Sequence, residues 1–252
     1  MCFILSFAAC NDKDNPVDPV TTEQPVVATP EPDVSPEPTV DPASIPEIEI
    51  VESVSNVYHS STKGARAVSY IICENKSDKF AYIGSVTFDL EASDGSIVDT
   101  IPFLTAFPNS VKPGERFVVY VDDQLSIDTN DETLKIYPTF TVEELTSEYQ
   151  RLEIVEADEK VSLNEEHNTI TCKVKIRNQH PSMIPLYFVC ATLYDKEDHV
   201  IGQFNQVFTD CIANGVEKTV VFEDNLGMFN NDPELVARIE YVAAPYAQVQ
   251  GN

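Results

Sequence analysis

Cysteine and histidine are the side chains in this sequence that could bind zinc or form a disulfide. The intervals between Cys172, Cys190 and Cys211 are 18 and 21 positions, and neither interval fits a zinc-binding pattern. If the chain is exported, Cys172 with Cys211 is the one disulfide pairing worth testing. The four histidines lie far apart in predicted loops (His59, His167, His180 and His199). A metal site formed by three of them is the alternative. We therefore expect no metal site.

No group of residues in the sequence has the pattern of a catalytic site. There is no Gly-x-Ser-x-Gly motif and no glycine-rich phosphate loop, and the chain has only 8 glycines. Carboxylates are abundant, but a glycosidase needs two of them at a fixed separation in a cleft, and nothing marks such a pair. The sequence therefore predicts a protein that is not an enzyme and that needs no cofactor.

Two acidic features have structural interpretations. Asp128-Thr129-Asn130-Asp131-Glu132 places oxygen ligands at alternate positions, as weak calcium sites do, but it lacks the glycine and the distal glutamate of an EF-hand. We predict a solvated loop there, with a calcium site as the alternative. The pair Asp122-Asp123 is echoed by Glu223-Asp224 at a second predicted strand end, which indicates turn capping.

The charge of the chain narrows its possible partners. The 42 acidic residues against 16 basic ones give a net charge of −26, which repels nucleic-acid backbones and anionic lipid head-groups. We expect no nucleic-acid partner. Cations, basic proteins or a cationic surface layer remain possible, and the simplest alternative is that the acids keep an exported protein soluble.

The N-terminus combines an apolar segment with a cysteine. Residues Met1 to Ala9 read MCFILSFAA, and small residues precede Cys10. The stretch Phe7-Ala8-Ala9-Cys10 resembles the lipobox of bacterial lipoproteins, although Phe7 stands where leucine is usual. That resemblance implies that Cys10 carries a diacylglycerol anchor and that residues 1–9 are a truncated signal peptide, because no basic residue precedes Cys10. A short buried strand is the alternative.

Residues 10–46 have the composition of a disordered stalk. Between Asn11 and Pro46 lie nine of the 17 prolines and eight acids, with one base and no aromatic residue. Such a segment cannot bury enough apolar surface to offset its ordering entropy, and its proline repeats favour extended polyproline II. We predict a spacer that holds the rest of the chain away from the membrane.

The remainder of the chain contains an internal repeat. Ile48–Glu52 matches Leu152–Glu156 at a shift of 104 positions, Val86–Val98 matches Val189–Ile201 at 103, and Gly114–Asp123 matches Gly215–Asp224 at 101. A unit of about 100 residues is the size of an immunoglobulin-like sandwich. The sequence thus predicts two tandem β-sandwiches, repeat 1 over 47–145 and repeat 2 over 146–252.

The hydrophobic pattern of both repeats is that of β-strands. Apolar residues alternate with polar ones from Ile170 to Ile176, and Cys172 falls on the apolar side, as Cys73 does in the first repeat. Turn residues follow the next strand of each repeat, at Ser93–Ser96 and at Lys196–His199. Two short segments have helical patterns and predict one turn each, Thr141–Leu145 and Asp232–Leu235. The fold class is therefore predicted to be all-β.

A family resemblance rests on the segment Ala191-Thr192-Leu193-Tyr194-Asp195. It resembles the FxLYD domain, a small bacterial β-sandwich common in exported lipoproteins, although Ala191 replaces the phenylalanine. The first repeat keeps Phe88 and Leu90 but has Glu91 and Ala92 where tyrosine and aspartate are expected. The resemblance implies that Leu193 is a core residue, that Tyr194 lies on the opposite face and that Asp195 caps the hairpin turn.

These features predict an envelope-anchored lipoprotein without catalytic activity. It would be held on the outer side of a bacterial membrane, at the cell surface or facing the periplasm, by the lipid on Cys10. Its tandem sandwiches would bind a protein or a glycan. The alternative is a purely structural spacer with no specific ligand.

Overall fold

A computed structural model describes residues 45–60, 64–103, 106–127, 133–146, 150–226 and 231–246. Cys10, the signal segment 1–9, the stalk up to residue 44 and the loop 128–132 lie outside the described residues, as does the side chain of His59. The predictions made for them remain predictions.

The first seven strands precede residue 146. They are β1 (Ile48–Ser60), β2 (Gly64–Asn75), β3 (Phe80–Glu91), β4 (Ile97–Phe103), β5 (Ser110–Val111), β6 (Arg116–Gln124) and β7 (Lys135–Leu145). They form two antiparallel sheets. One sheet has the order β1-β2-β6, and in the other β3 pairs with β4, β5 and β7. The inner faces of the two sheets enclose a hydrophobic core that includes Cys73 and Phe88.

The second seven strands follow residue 150. They are β8 (Glu153–Ala157), β9 (Ser162–Asn164), β10 (Thr169–Arg177), β11 (Tyr187–Tyr194), β12 (Val200–Phe208), β13 (Glu217–Asp224) and β14 (Arg238–Pro245). One sheet has the order β13-β10-β8 with β9 also paired to β10, and the other has the order β12-β11-β14. Both are antiparallel, and they enclose a second core that includes Cys172 and Leu193. The described chain is therefore all-β, with four antiparallel sheets.

The alternation predicted for β10 is confirmed. Ile170, Cys172, Val174 and Ile176 are buried, while the side chains between them are partly or fully exposed. The turn predicted at Asp232–Leu235 is also confirmed, as a single 3-10 turn at Pro233–Leu235 that the Asp232 side chain caps. No helix among the described residues has the length and hydropathy needed to span a membrane.

The helical turn predicted at Thr141–Leu145 is wrong. These residues are the end of strand β7, where Val142 pairs with Ile83 and Leu145 pairs with Phe80 of the central strand β3. Five residues with no terminal cap gain little from a helix, since nucleating one fixes several residues for a single hydrogen bond. Pairing with β3 instead gives hydrogen-bond partners to the backbone N–H and C=O groups of every second residue of the segment.

A buried asparagine occupies the same place in both pairs of sheets. Asn75 donates through Nδ2 to the carbonyl oxygens of Lys79 and Val111, at 2.8 and 3.2 Å. Asn178 donates in the same way to Ser182 and Ile212, at 3.1 and 2.8 Å. The backbone carbonyl of each asparagine accepts from the N–H of a glycine, Gly114 for Asn75 and Gly215 for Asn178. These side chains join the end of one strand to the loops beside it.

Strand β11 is buried on both faces, which the sequence did not predict. Val189, Ala191 and Leu193 lie in the second core as expected. Its other face carries Tyr194, which packs with Val68 and other residues on the outer face of the β1-β2-β6 sheet. The outer faces of these two sheets therefore contact each other, and the four sheets lie in one stack. The division of the chain at residue 146 stays a prediction.

Candidate functional site

A cleft of about 440 Å³ lies where the β1-β2-β6 sheet meets the β12-β11-β14 sheet. One wall is formed by the start of β6 and by Ile72 of β2, and the other by the outer face of β11 and its neighbours. The volume is within the range of small-molecule sites in proteins, and sites commonly form between packed units. The cleft exists because both walls belong to outer sheet faces that meet over only part of their area.

A row of three polar side chains crosses the second wall. Thr192 is paired in register with Gln203 of β12 on one side and with Glu240 of β14 on the other, so the three lie side by side and all line the cleft. Thr192 and Gln203 are only 7% and 6% exposed. The Gln203 Nε2 atom donates to the Val118 carbonyl across the junction, at 3.4 Å. Within the described residues the Thr192 hydroxyl has no hydrogen-bond partner, which leaves it available to a ligand.

Arg238 and Tyr194 form a fixed corner of the cleft. The Arg238 guanidinium carbon lies 3.6 Å from the centroid of the Tyr194 ring, and Nη2 is 2.6 Å from Asp198 Oδ1. The Tyr194 hydroxyl donates to Glu240 Oε2 at 3.1 Å. Burial, together with the Glu240 charge, raises the pKa of Tyr194 to about 12. The phenol is therefore protonated at neutral pH and can donate a hydrogen bond but cannot act as a base.

An arginine ties the two pairs of sheets together beside the cleft. Arg151 precedes β8, and its Nη2 atom donates to the Ser110 carbonyl and to both carboxylate oxygens of Glu115, each at 2.8 Å. Glu115 in turn lines the cleft. Charged hydrogen bonds of this kind are stronger than neutral ones and hold the guanidinium in one orientation. Arg151 therefore attaches the first wall of the cleft to the second pair of sheets.

The charge of the cleft lining is negative. Five carboxylates and two guanidinium groups line it, a net charge of −3 with His199 neutral (Glu52, Glu115, Glu197, Asp198 and Glu240; Arg116 and Arg238). Arg116 is 63% exposed and pairs with Glu74 outside the cleft. His199 lies beside Glu52, with Nε2 at 3.9 Å from Oε1. Among the described residues neither Glu52 nor Glu197 forms an ion pair with a lysine or an arginine.

Cys172 and Cys211 do not form a disulfide in the structure. Cys172 is buried in the second core and Cys211 is exposed, and both are free, so the Cys172–Cys211 disulfide is wrong. One thiol lies on the inner face of β10 and the other lies in a surface loop. Burial raises the pKa of Cys172 to about 11 and that of Cys73 to about 12, which keeps both thiols protonated and unreactive at neutral pH. Cys190 lines the cleft and is also buried.

The histidines with described side chains do not come together. His167 contacts Glu223 at 2.8 Å, His180 contacts the Gln150 carbonyl at 3.0 Å, and His199 lies at the cleft. No cluster of three His, Cys, Asp or Glu side chains suited to a metal ion occurs in the ranges that the structure describes.

The predicted capping roles have mixed outcomes. Asp195 accepts from the backbone N–H of Glu197 and of His199, at 3.0 and 2.8 Å, so it caps the hairpin turn as expected. Asp122 instead forms an ion pair with Arg66 on the neighbouring strand. Glu223 accepts from Thr169, and its pKa is lowered by hydrogen bonds from His167, then Thr169. These two acids join strands, whereas Asp123 and Asp224 each accept from the backbone N–H of the next residue, at 2.7 and 2.8 Å, as residues at a turn do.

Sequence reasoning missed the polar row and its surroundings. Thr192 lies within the FxLYD-like segment, but Gln203 and Glu240 are distant from it in sequence and belong to no motif. A threonine between two apolar strand neighbours was the one available signal. No protein-family model matches the chain, and no curated protein matches it.

Proposed function

We propose that this chain is a non-catalytic, lipid-anchored protein of the bacterial cell envelope that binds a protein or glycan ligand in the cleft between two tandem sandwiches. The observation that carries the binding role is the polar row of Thr192, Gln203 and Glu240. Thr192 and Gln203 are buried, and burying polar groups costs free energy unless they are hydrogen-bonded, so apolar residues at these two positions would stabilise the junction more. A free hydroxyl retained in a cleft is understandable if a ligand completes its hydrogen bonds.

The immunoglobulin-like architecture is part of the proposal. In each pair of sheets the chain forms one strand pair, crosses to the opposite sheet, and returns to the first sheet, as in Greek-key sandwiches. The equivalent asparagines Asn75 and Asn178 with matching bonds support two copies of one unit. The FxLYD resemblance is supported by Leu193 in the core, Tyr194 on the opposite face and Asp195 at the turn.

Three of the five cleft carboxylates are held in a way that favours binding over catalysis. Asp198 is paired with Arg238, Glu240 with the Tyr194 hydroxyl, and Glu115 with Arg151 outside the cleft. A general base must be able to take up a proton from its substrate, and carboxylates held in strong hydrogen bonds are poor at this. These groups are suited to orienting a ligand.

The lipid anchor is tested by metabolic labelling with an alkyne fatty acid. The full chain is expected to incorporate the label, and Cys10→Ala is expected to lose it. Cys2→Ala is the matched control, since it removes a neighbouring thiol outside the lipobox-like stretch, and it should be labelled like the unaltered chain. Equal labelling of Cys10→Ala and the unaltered chain would refute Cys10 as the anchor.

The binding role is tested by hydrogen–deuterium exchange of the full chain against solubilised bacterial envelope. A ligand in the cleft should slow exchange of peptides covering β6, β11 and β14 in a saturable way, and peptides covering β10 and β13 serve as the internal control. If no envelope fraction protects the cleft strands, binding fails as an explanation. The rigid junction built by Arg151 would then favour the spacer function instead.

A further inference from the structure

We propose that the cleft recognises a protonated nitrogen group, an ammonium or guanidinium carried by a small ligand or by a side chain. This inference rests on the proposed binding function and names the chemistry of the ligand. It is carried by the free Thr192 hydroxyl, by the carboxylates around it and by the way the two arginines are held. Each of these observations is independent of the others.

The first observation is the set of oxygen acceptors on the second wall. The Thr192 oxygen lies between Glu240 and Gln203 in the row that crosses three strands. A hydroxyl oxygen accepts a hydrogen bond while its proton turns toward a second acceptor. Thr192 is 7% exposed and lines the cleft, so a donor group entering the cleft can reach its hydroxyl. An ammonium group supplies three donors and no acceptor, which matches such a surface.

The second observation is the negative charge of two carboxylates in the cleft lining that have no lysine or arginine partner. Glu52 and Glu197 line the cleft without a lysine or arginine partner among the described residues, and the lining as a whole carries −3. Low-dielectric walls concentrate the field of such charges and raise the local concentration of cations. An anionic ligand would be repelled, and a neutral ligand would gain hydrogen bonds from these groups but no ion pair.

The third observation is that the lining arginines are already engaged. Arg238 pairs with Asp198 and Glu240 and lies over the Tyr194 ring, so its charge is already balanced by other groups. Arg116 pairs with Glu74, away from the cleft. In the part of the chain that the structure describes, no lysine or arginine therefore pairs with Glu52 or Glu197, and a cationic ligand would take that position.

The volume of the cleft restricts the size of the ligand. About 440 Å³ accommodates one long side chain or one monosaccharide, and not a folded segment. A lysine or arginine side chain and an amino sugar share the protonated nitrogen that the carboxylates would recognise. The probes below separate these two sources.

The test is a titration of the ¹⁵N-labelled full chain, followed by the backbone amide signals of Val118, Thr192 and Glu240. The probes are N-acetylarginine amide with its neutral isostere N-acetylcitrulline amide, and glucosamine with glucose. We expect one cationic probe to shift the three signals saturably and its neutral counterpart to bind about tenfold more weakly, since one charged hydrogen bond is lost. The cationic probe that binds identifies the source of the nitrogen.

Two variants test the groups assigned to the site. Thr192→Val preserves the shape and should weaken binding about fivefold through the loss of one hydrogen bond. Thr87→Val is its control on the outer face of β3. Glu197→Gln should weaken binding about threefold through the loss of one exposed charge, and Glu166→Gln in a distant turn should not. Unchanged urea midpoints show that the variants remain folded.

The outcomes separate this inference from the proposed function. Equal binding of charged and neutral probes in the cleft overturns the cationic ligand but leaves a binding site. Absence of shifts with both cationic probes also overturns it. The proposed binding function fails only if solubilised envelope, in addition, gives no protection of the cleft strands.

Discussion

Replacing the buried Asn178 by alanine is expected to destabilise the protein by about 3–5 kcal/mol. The side chain is fully buried and joins the end of β10 to two loops. Its Nδ2 atom donates to the Ser182 and Ile212 carbonyls, at 3.1 and 2.8 Å, and its Oδ1 atom accepts from the His180 N–H at 2.8 Å. Alanine removes all three bonds without supplying any replacement.

The magnitude follows from what those partners lose. A hydrogen bond contributes about 1 kcal/mol net, and a buried group left without a partner costs about 1–3 kcal/mol. Three bonds are lost, but the His180 and Ser182 groups lie near the surface, where water can replace the side chain. The Ile212 carbonyl is the partner whose bond is buried, and it bears most of the cost. The range of 3–5 kcal/mol results.

The assay is urea unfolding of the full chain followed by far-ultraviolet circular dichroism. Asn214→Ala is the matched control, because this exposed side chain makes one bond, to the His180 carbonyl, and should cost less than about 1 kcal/mol. Asn178→Asp should be at least as harmful as alanine, since a carboxylate cannot donate to the two carbonyls. A loss below 1 kcal/mol for Asn178→Ala would refute the assigned role.

Further predictions concern the first seven strands, the thiols and the junction. Asn75→Ala should cost as much as Asn178→Ala by the same assay, because its amide bonds the equivalent carbonyls. Native iodoacetamide labelling, read by mass spectrometry, should modify Cys211 and spare the buried thiols until urea is added (Cys73, Cys172 and Cys190). Because burial raises the pKa of the Cys73 thiol from its ordinary value of 9.0 to about 12, the unfolded chain loses this proton at a lower pH than the folded chain does. This thiol should leave stability unchanged below pH 9.0 and lower it as the pH rises from 9.0 to about 12, measured as a falling urea midpoint. Arg151→Met should cost about 1–2 kcal/mol and speed hydrogen exchange at β5, since the bonds to Ser110 and Glu115 are lost. Unchanged exchange there would contradict the bridging role.

Much of each sandwich could be predicted from local pattern. The alternation along β10 placed Cys172 in the core because one face of an antiparallel sheet is buried and the other is wet. The hairpin turns were marked by their residues, and Asp195 caps its turn through two backbone N–H groups. These features depend on contacts within a few residues or within one sheet.

The features that failed depend on contacts between distant segments. The Thr141–Leu145 segment became a strand because β3 offered it a free edge, which its own residues do not encode. The cleft was invisible because Thr192 and Glu240 are adjacent only in the register of β11 with β14. The second buried face of β11 arises from packing against the other pair of sheets, and period-two patterns report one buried face at most.

The difference between Phe88 and Ala191, which are equivalent at the shift of 103 positions, has a physical account in the two cores. Phe88 of β3 pairs with Ile101 of β4, and Ala191 of β11 pairs with Phe204 of β12. The phenylalanine of this cross-strand pair lies on the other strand in the second core, and all four side chains are buried, so each core keeps an aromatic ring at this level.

The same comparison explains why Tyr194 of β11 has a glutamate, Glu91, at the equivalent position of β3. Tyr194 is 9% exposed because its face of β11 meets the β1-β2-β6 sheet, and Arg238 covers its ring. At the equivalent position of β3, Glu91 lies on an outer face that no described sheet covers. An aromatic ring there would expose apolar surface to water, whereas a carboxylate is solvated. The sequence difference between the repeats therefore follows from their order in the stack, and the junction that removes the tyrosine from water also creates the cleft beside it.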